Sequence, residues 1–354
     1  LSRAAYKNAA CLRRHGSLLS VLNTKRTIPL MPPRLDPRLS APEFEEYHAA
    51  RRFGVSLPLS DAVPVRRHFA PNLPQVLGRE SILASKLLDE AEAGHMFVFP
   101  RSVLSHLSDV VLSPAGLVVK NHAPETSMVP SDWRIIHHFS WPHPLDASVN
   151  AATDMSLAPI FTLPSLSALA ARCFALGSDT HVYKEDVTAA FRHIPLANVM
   201  VPFLVVCLGE ICLADLRCNF GWKASPAFFS LLSGSVLHLH QPVYPGSWMY
   251  VDDGFGAEAS LVRATRAAAH LRGCIRAVAG KHAVATKKSL LGQLVEVLGI
   301  LVNVQDQVLQ LPATKRTRIV ESLLQFLASP ALQFDQHAVA SLVGKLRHAC
   351  TCAP

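Results

Sequence analysis

Apolar residues first recur with helical spacing over residues 81–93. Ile82, Leu83, Leu87 and Leu88 share one side there, Asp89, Glu90 and Glu92 the other, and Gly94 follows. That period predicts an amphipathic helix with a glycine stop. Two short apolar runs over 110–120 flank Ser113-Pro114-Ala115-Gly116, the pattern of a hairpin or of two short strands. Residues 133–139 read as another strand after a loop, and 166–176 as a helix closed by Gly177. A short strand over 181–186 ends on Asp186. Residues 199–208 and 211–216 flank Gly209-Glu210 as a hairpin, and a helix over 226–239 has Pro226 in its first turn. The stretch Trp248-Met249-Tyr250-Val251-Asp252-Asp253-Gly254-Phe255-Gly256 reads as a hairpin whose two-residue turn is Asp252-Asp253. Residues 261–278 place Leu261, Ala264, Ala268, Leu271, Ile275 and Val278 on one helical face, with Gly280 beyond. A strand over 294–302 and two helices over 314–350, divided near Ser329-Pro330, complete the order. The expected fold class is α+β, an antiparallel sheet backed by helices.

The first part of the chain reads differently. Residues 1–35 hold no acidic residue but include Arg3, Lys7, Arg13, Arg14, Lys25, Arg26 and Arg34, without a clean amphipathic period. A disordered basic arm is expected in preference to a transit peptide. Residues 28–75 are rich in proline and arginine and read as linker with one short helix near Glu43, Glu45 and Glu46. Three segments result: a basic, Pro-rich extension over 1–78, a main body over 79–305, and a helical end over 306–354.

Composition narrows the function. Half of the 354 residues are hydrophobic, enough for a sizeable core, and the formal net charge is +8. That excess points to a polyanionic partner such as nucleic acid. The most apolar run, 199–216, contains Pro202, Gly209, Glu210 and Asp215, so no membrane span and no membrane partner are expected. The 8 cysteines include Cys207-x4-Cys212-x5-Cys218 and Cys350-x-Cys352, spacings that match no standard zinc pattern. A reducing intracellular location, cytoplasmic or nuclear and not secreted, is the simpler reading.

Two adjacent aspartates on one tight turn repel each other unless a cation sits between them. Hard Mg²⁺ suits such oxygen donors, although a solvated Asp-Asp turn is ordinary turn chemistry. Asp186 and Asp252 both fall at strand ends, so adjacent strands would set them side by side. Carboxylates so placed make the two-metal clamp of nucleotidyl transfer, with ions about 3.5–4 Å apart. Lys120, Arg134, Lys223, Lys287 and Lys288 are candidate partners for a triphosphate, though each alone is ordinarily a solvated surface charge.

These boxes, in their order, resemble the reverse transcriptases. Tyr250-Val251-Asp252-Asp253 is similar to their Tyr-x-Asp-Asp box, and Asp186-Val187-Thr188-Ala189-Ala190-Phe191 to their first catalytic motif. Phe220-Gly221-Trp222-Lys223-Ala224-Ser225-Pro226 resembles their Gly-(Phe/Trp)-Lys-x-Ser-Pro segment, Trp133-Arg134 the fingers motif, and Leu298-Gly299-Ile300 the primer grip. The runs 190–195 and 342–350 are most similar to the DIRS-type, tyrosine-recombinase class of retrotransposons. The resemblance implies a right-hand polymerase fold, with fingers and palm over 79–305 and the start of a thumb from 306. It also implies an RNA-directed DNA polymerase that extends a primer on an RNA template with deoxynucleotides, using two Mg²⁺ ions for which Mn²⁺ could substitute. Asp186 and Asp252 would hold the metals, with Asp253 the second member of the box. Phe191 would be the steric gate against a ribose 2′-OH, or plain core packing. Arg134 and Lys120 would grip the triphosphate. Lys287 or Lys288 would stand near the leaving phosphate as a general acid, a choice the sequence leaves open. Gly221 and Ser225 would let the template–nucleotide pair approach the backbone closely, beside Lys223. The chain departs from the pattern at Phe220, at Val297 before Leu298, and at Arg192, which puts a cation beside the gate. A catalytically dead copy that keeps only nucleic-acid binding is the alternative. Oligomeric state is not legible.

Overall fold

The computed structural model describes residues 2–25, 44–60, 71–120, 123–141, 148–328 and 336–352. In chain order the elements begin with α1 (Ser2–His15), α2 (Leu18–Lys25), α3 (Glu45–Phe53) and α4 (Glu80–Glu92). Then come β1 (Met96–Pro100), β2 (Leu112–Ser113), β3 (Ala115–Val119), β4 (Trp133–His137), α5 (Val149–Ala152), α6 (Leu166–Leu176) and β5 (His181–Asp186). They continue with β6 (Val205–Leu208), β7 (Ile211–Asp215), α7 (Ser225–His240), β8 (Ser247–Tyr250), β9 (Asp253–Glu258) and α8 (Leu261–Ala279). Last are β10 (Leu290–Gly292), β11 (Leu294–Val297), β12 (Ile300–Asn303), β13 (Val308–Gln310), α9 (Ala313–Ala328) and α10 (Gln336–Ala349). Two compact units share them. One comprises Leu1–Phe161 with Ala189–Leu232, the other Thr162–Thr188 with Ser233–Pro354.

In the first unit a four-stranded sheet runs β1-β7-β6-β2, and β3 pairs with β4 alone. Leu83, Leu87, Met96, Val98, Leu117, Trp133, Val206 and Leu213 form its core. The two short runs over 110–120 are strands but not a hairpin. β2 pairs in parallel with β6, while β3 pairs antiparallel with β4. Pro114 alone separates them and has no N–H for a ladder, so the chain passes from one sheet to the other there. β1, unforeseen in the sequence, is buried at every position, so it carries no alternating signal. Residues 199–204 are not strand either. Val201–Phe203 form a 3₁₀ turn around Pro202. Cys207 and Cys212 face each other across the β6–β7 hairpin and are joined by a disulfide, a pairing that the sequence, weighed for zinc spacing and a reducing location, did not suggest.

The N-terminal extension also differs from expectation. Residues 2–25 fold into α1 and α2 instead of a disordered arm. Ala5, Ala9 and Leu12 lie on one face of α1 and are buried, as are Leu18, Val21 and Leu22 of α2. The Asp109 carboxylate accepts the N–H groups of Leu18 and Leu19, both at 2.9 Å, and so caps α2. Asn8 donates to the Val98 carbonyl of β1 at 2.6 Å. Alanines carry the α1 face, which hid the period. The short helix expected near Glu45 is α3, whereas the linker readings at 26–43 and 61–70, and the break at Ser329-Pro330, lie outside the described residues.

In the second unit the sheet order is β10-β5-β9-β8, and β11-β12-β13 form a three-stranded sheet. α8 packs on β5 and β9, and α6 on β9. Val182, Phe255, Ala257, Leu169, Val297 and Ile300 are buried together. Each large side chain of this kind contributes about 1.5–3 kcal/mol by leaving water. Ser260 caps α8 by accepting the Arg263 N–H, and Gly280 ends it at φ 102°. β9 needs glycine at 256, because a Cβ there would lie 2.4 Å from the Tyr183 hydroxyl. The single strand expected over 294–302 is instead the hairpin β11–β12. Leu298 and Gly299, at φ 49° and 80°, form the left-handed two-residue turn that joins such strands. No helix among the described residues is long and apolar enough to cross a membrane.

Candidate active site

The acidic cluster is built by the β5–β9–β8 register of the second unit. Asp186 ends β5 directly opposite Asp253, the first residue of β9. Tyr250 of β8 also pairs with Asp253, so the turn is Val251-Asp252, not Asp252-Asp253. Val251 takes a positive φ of 53°, a conformation uncommon for a β-branched residue. The Asp252 carbonyl accepts the Val187 N–H at 2.9 Å, which ties the segment after β5 to this turn. All three carboxylates therefore come from one end of one sheet.

Two lysines stand among them. Lys288 donates to both carboxylate oxygens of Asp186, at 2.9 and 2.8 Å. Lys184 reaches Asp253 Oδ1 at 2.9 Å. Burial pushes the Asp252 carboxyl above the usual carboxylate range, and the neighbouring Asp253 and Asp186 charges add to this. Burial likewise raises Asp253, against the opposing pull of Lys184. A cation would relieve Asp252, whose strongest charged neighbours are carboxylates. The donor set is hard oxygen, which fits Mg²⁺ or Mn²⁺. The three carboxylates are not gathered about a single point: among the described residues their ligand atoms do not all lie within 4.8 Å of one another. Lys288 takes both oxygens of Asp186 and Lys184 one oxygen of Asp253, so a metal held between Asp186 and Asp252 would have to displace Lys288 from Asp186.

Of the two candidate lysines, both exposed on the 3₁₀ turn Thr286–Lys288, it is Lys288 that reaches the cluster. Lys184 was missed in the sequence. Its signal was strand alternation, since a lysine two positions before Asp186 shares that residue's face of β5. Behind it, Glu185 turns the other way to Ser289 at 2.5 Å and Arg272 at 3.3 Å.

The remaining predicted residues belong to the first unit. Arg134 is exposed on β4, opposite Val118 of β3, and Lys120 follows the end of β3 with its ammonium on the Ser131 carbonyl at 2.5 Å. Phe191 is buried and packs on Phe220 and Phe229, with ring centroids 4.8 and 6.0 Å away, so its packing role is met in full. Gly221 sits at φ 150°, and a Cβ there would lie 2.1 Å from the His137 carbonyl. The glycine is therefore required by β4. Asn150 holds this loop, donating to the Gly221 carbonyl at 2.8 Å and accepting the Lys223 N–H at 3.0 Å. The Lys223 side chain is exposed. Ser225, fully buried, accepts the Asn219 N–H at 3.3 Å and opens α7.

Arg192 was read as a cation beside Phe191. Its guanidinium instead binds Asp215 at 2.5 Å and Glu90 at 2.9 Å. Asp215 also accepts from Asn219 at 2.9 Å, and Asn219 accepts the Trp222 N–H at 3.2 Å. This buried network links the segment after Ala189 to the Gly221–Ser225 turn. Arg192 is distant in sequence from both Glu90 and Asp215, which left no local signal for its role.

No protein-family model matches the sequence, and no curated protein matches it. Solved structures do. The foamy viral protease-reverse transcriptase dRH in complex with double-stranded DNA superposes with a TM-score of 0.55 at 16% identity, over 91% of this chain and 54% of that one. The foamy viral protease-reverse transcriptase in complex with an RNA/DNA hybrid gives 0.55 at 16%, over 91% and 41%. A prototype foamy virus protease-reverse transcriptase mutant gives 0.50 at 16%, over 84% and 36%. This chain spans roughly half the length of these proteins or less. At such identities the likeness speaks for the fold, and the fold is the mixed helix-and-sheet fold of a reverse-transcriptase-like polymerase domain.

Proposed function

We propose that this chain is the polymerase portion of an RNA-directed DNA polymerase from a retroelement, similar in its motifs to the DIRS-type class. The observation that carries the reading is the register that sets Asp186 against Asp253, with Asp252 in the adjoining turn. The fold neighbours, described in complexes with double-stranded DNA and with an RNA/DNA hybrid, and the net charge of +8 support an RNA template and a DNA primer as partners. Asp186 and Asp252 would hold Mg²⁺, with Mn²⁺ a substitute. Bound there, the metal supplies Lewis acidity to the attacking and leaving oxygens of nucleotidyl transfer. Lys288, already on Asp186, would hold a proton for the leaving phosphate. Phe191 would exclude a ribose 2′-OH, and Arg134 and Lys120 would grip the triphosphate.

One observation favours a second reading. Lys288 and Lys184 neutralise two of the three carboxylates, as they would in a chain that binds nucleic acid without catalysis. Primer extension decides between them. On an RNA template with Mg²⁺, the polymerase reading expects deoxynucleotide incorporation that Asp252→Asn abolishes. Hybrid binding without incorporation, in this chain and in one extended past Pro354, supports the binding-only reading.

A further inference from the structure

Behind β5, on the side of the sheet covered by α8, lies a cluster the polymerase reading does not use. His240 ends α7 and is fully buried. His270 and Cys274 stand one turn apart on α8, and Cys274 is buried. His240 Nδ1 lies 2.9 Å from His270 Nδ1, and Cys274 Sγ lies 3.6 Å from that same nitrogen. Among the described residues this is the one His, Cys, Asp and Glu group whose ligand atoms all fall within 4.8 Å of one another.

The hydrogen bonds around His240 fix its tautomer. Ser247 Oγ donates to the Tyr244 carbonyl at 2.7 Å, which uses its only proton. The Tyr183 hydroxyl, 2.6 Å from Ser247 Oγ, must therefore donate to it. Tyr183 can then only accept from His240 Nε2, 3.2 Å away, so Nε2 carries the imidazole proton. Nδ1 carries no proton and accepts the Nδ1–H of His270 at 2.9 Å, on the side of Cys274. An imidazole whose far nitrogen is held by a hydrogen bond while the near one presents its lone pair is the arrangement metal-binding histidines show.

We propose that His240, His270 and Cys274 form a binding site for one divalent transition-metal ion, zinc above all, that clips the end of α7 to α8. Zn–N near 2.0–2.1 Å and Zn–S near 2.3 Å in a tetrahedron put nitrogen and sulfur about 3.6 Å apart and two nitrogens about 3.4 Å apart. The first separation is already met between His270 and Cys274, His240 lies within 4.8 Å of the sulfur, and the second needs the two rings to part by about half an ångström from the 2.9 Å observed. On binding, Cys274 gives its thiol proton to solvent. Binding also requires His270 to move its proton from Nδ1 to Nε2, so that Nδ1 can take the ion. Cysteine spacing alone argued against zinc. That spacing could not register one cysteine joined by two histidines from different helices.

The test uses the full chain, stripped of metal and titrated with Zn²⁺ against a chromophoric chelator, then with Co²⁺. One equivalent of Zn²⁺ and a thiolate-to-Co²⁺ absorption band are expected. Cys274→Ser and His270→Gln should each lose the band, and Cys350→Ser with Cys352→Ser should keep it. Tyr183→Phe, which frees the His240 tautomer, should weaken Zn²⁺ about 10–100-fold. Far-UV circular dichroism checks each variant, and should Cys274→Ser unfold, His270→Gln carries the comparison. Absence of stoichiometric binding, a band that survives both substitutions, or a band lost only with Cys350 and Cys352 would overturn the site.

Discussion

Lys288 grips both oxygens of Asp186, at 2.9 and 2.8 Å, although, like its neighbour Lys287, it is an exposed residue of the turn. Neighbouring lysines of identical chemistry are thereby given different roles. If Lys288 is the general acid, Lys288→Ala should lower single-nucleotide incorporation by about 10²–10⁴, the range typical of that role. Lys287→Ala should leave the rate nearly unchanged. Rapid-quench incorporation on a primed RNA template makes the comparison, and equal losses in the two variants would remove the distinction.

Asp252 and Asp253 both have carboxyls raised above their unfolded values. The native state therefore binds more protons than the unfolded state between the two values. Stability falls as pH rises through that window. Asp252→Asn removes the strain, so it should raise Tm at neutral pH, and the gain should shrink as pH drops through the acidic carboxylate range. Thermal denaturation of the two proteins across that range reads this directly. Mg²⁺ should raise the Tm of the native chain by binding the folded state, and raise that of Asp252→Asn much less.

Gly221 has no room for a side chain. Gly221→Ala must displace the His137 carbonyl, 2.1 Å from the added Cβ, and also adopt a φ of 150°. A loss of about 1–3 kcal/mol is expected from such backbone strain. Urea denaturation measures it, and an unchanged midpoint would show that the turn simply moves.

Arg192 and Asp215 form an ion pair in which the Asp215 side chain is fully buried and the Arg192 side chain nearly so. Removing one partner leaves the other charged and without its match. Arg192→Ala should cost about 3–5 kcal/mol, and Arg192→Met with Asp215→Leu markedly less. A double-mutant cycle by urea denaturation tests this, and additive losses would argue against coupling.

The elements with strong periods or clear stops were legible in the sequence. Leu166–Leu176 with Gly177, His181–Asp186 and the α8 face are of this kind. What was not legible depends on distant partners. The strands on either side of Pro114 join different sheets, and nothing local says so. α1 buries alanines, which read as neutral. At the site, Asp186 and Asp252 stood out through their motifs, but the choice of Lys288 over Lys287 needed the fold. Lys184 needed the β5–β9 register, and the His240–His270–Cys274 cluster needed two helices brought together.

Because Asp186 meets Asp253 in an antiparallel ladder, the cluster is indexed by residue count along two strands. A single residue added or lost within β5 or β9 would turn alternate side chains to the opposite face and separate the carboxylates, however mild the chemistry of the change. Substitutions nearby can be absorbed by packing; insertions and deletions there cannot. The length of these strands, more than their composition, is thus the quantity a mutational or engineering programme must leave fixed.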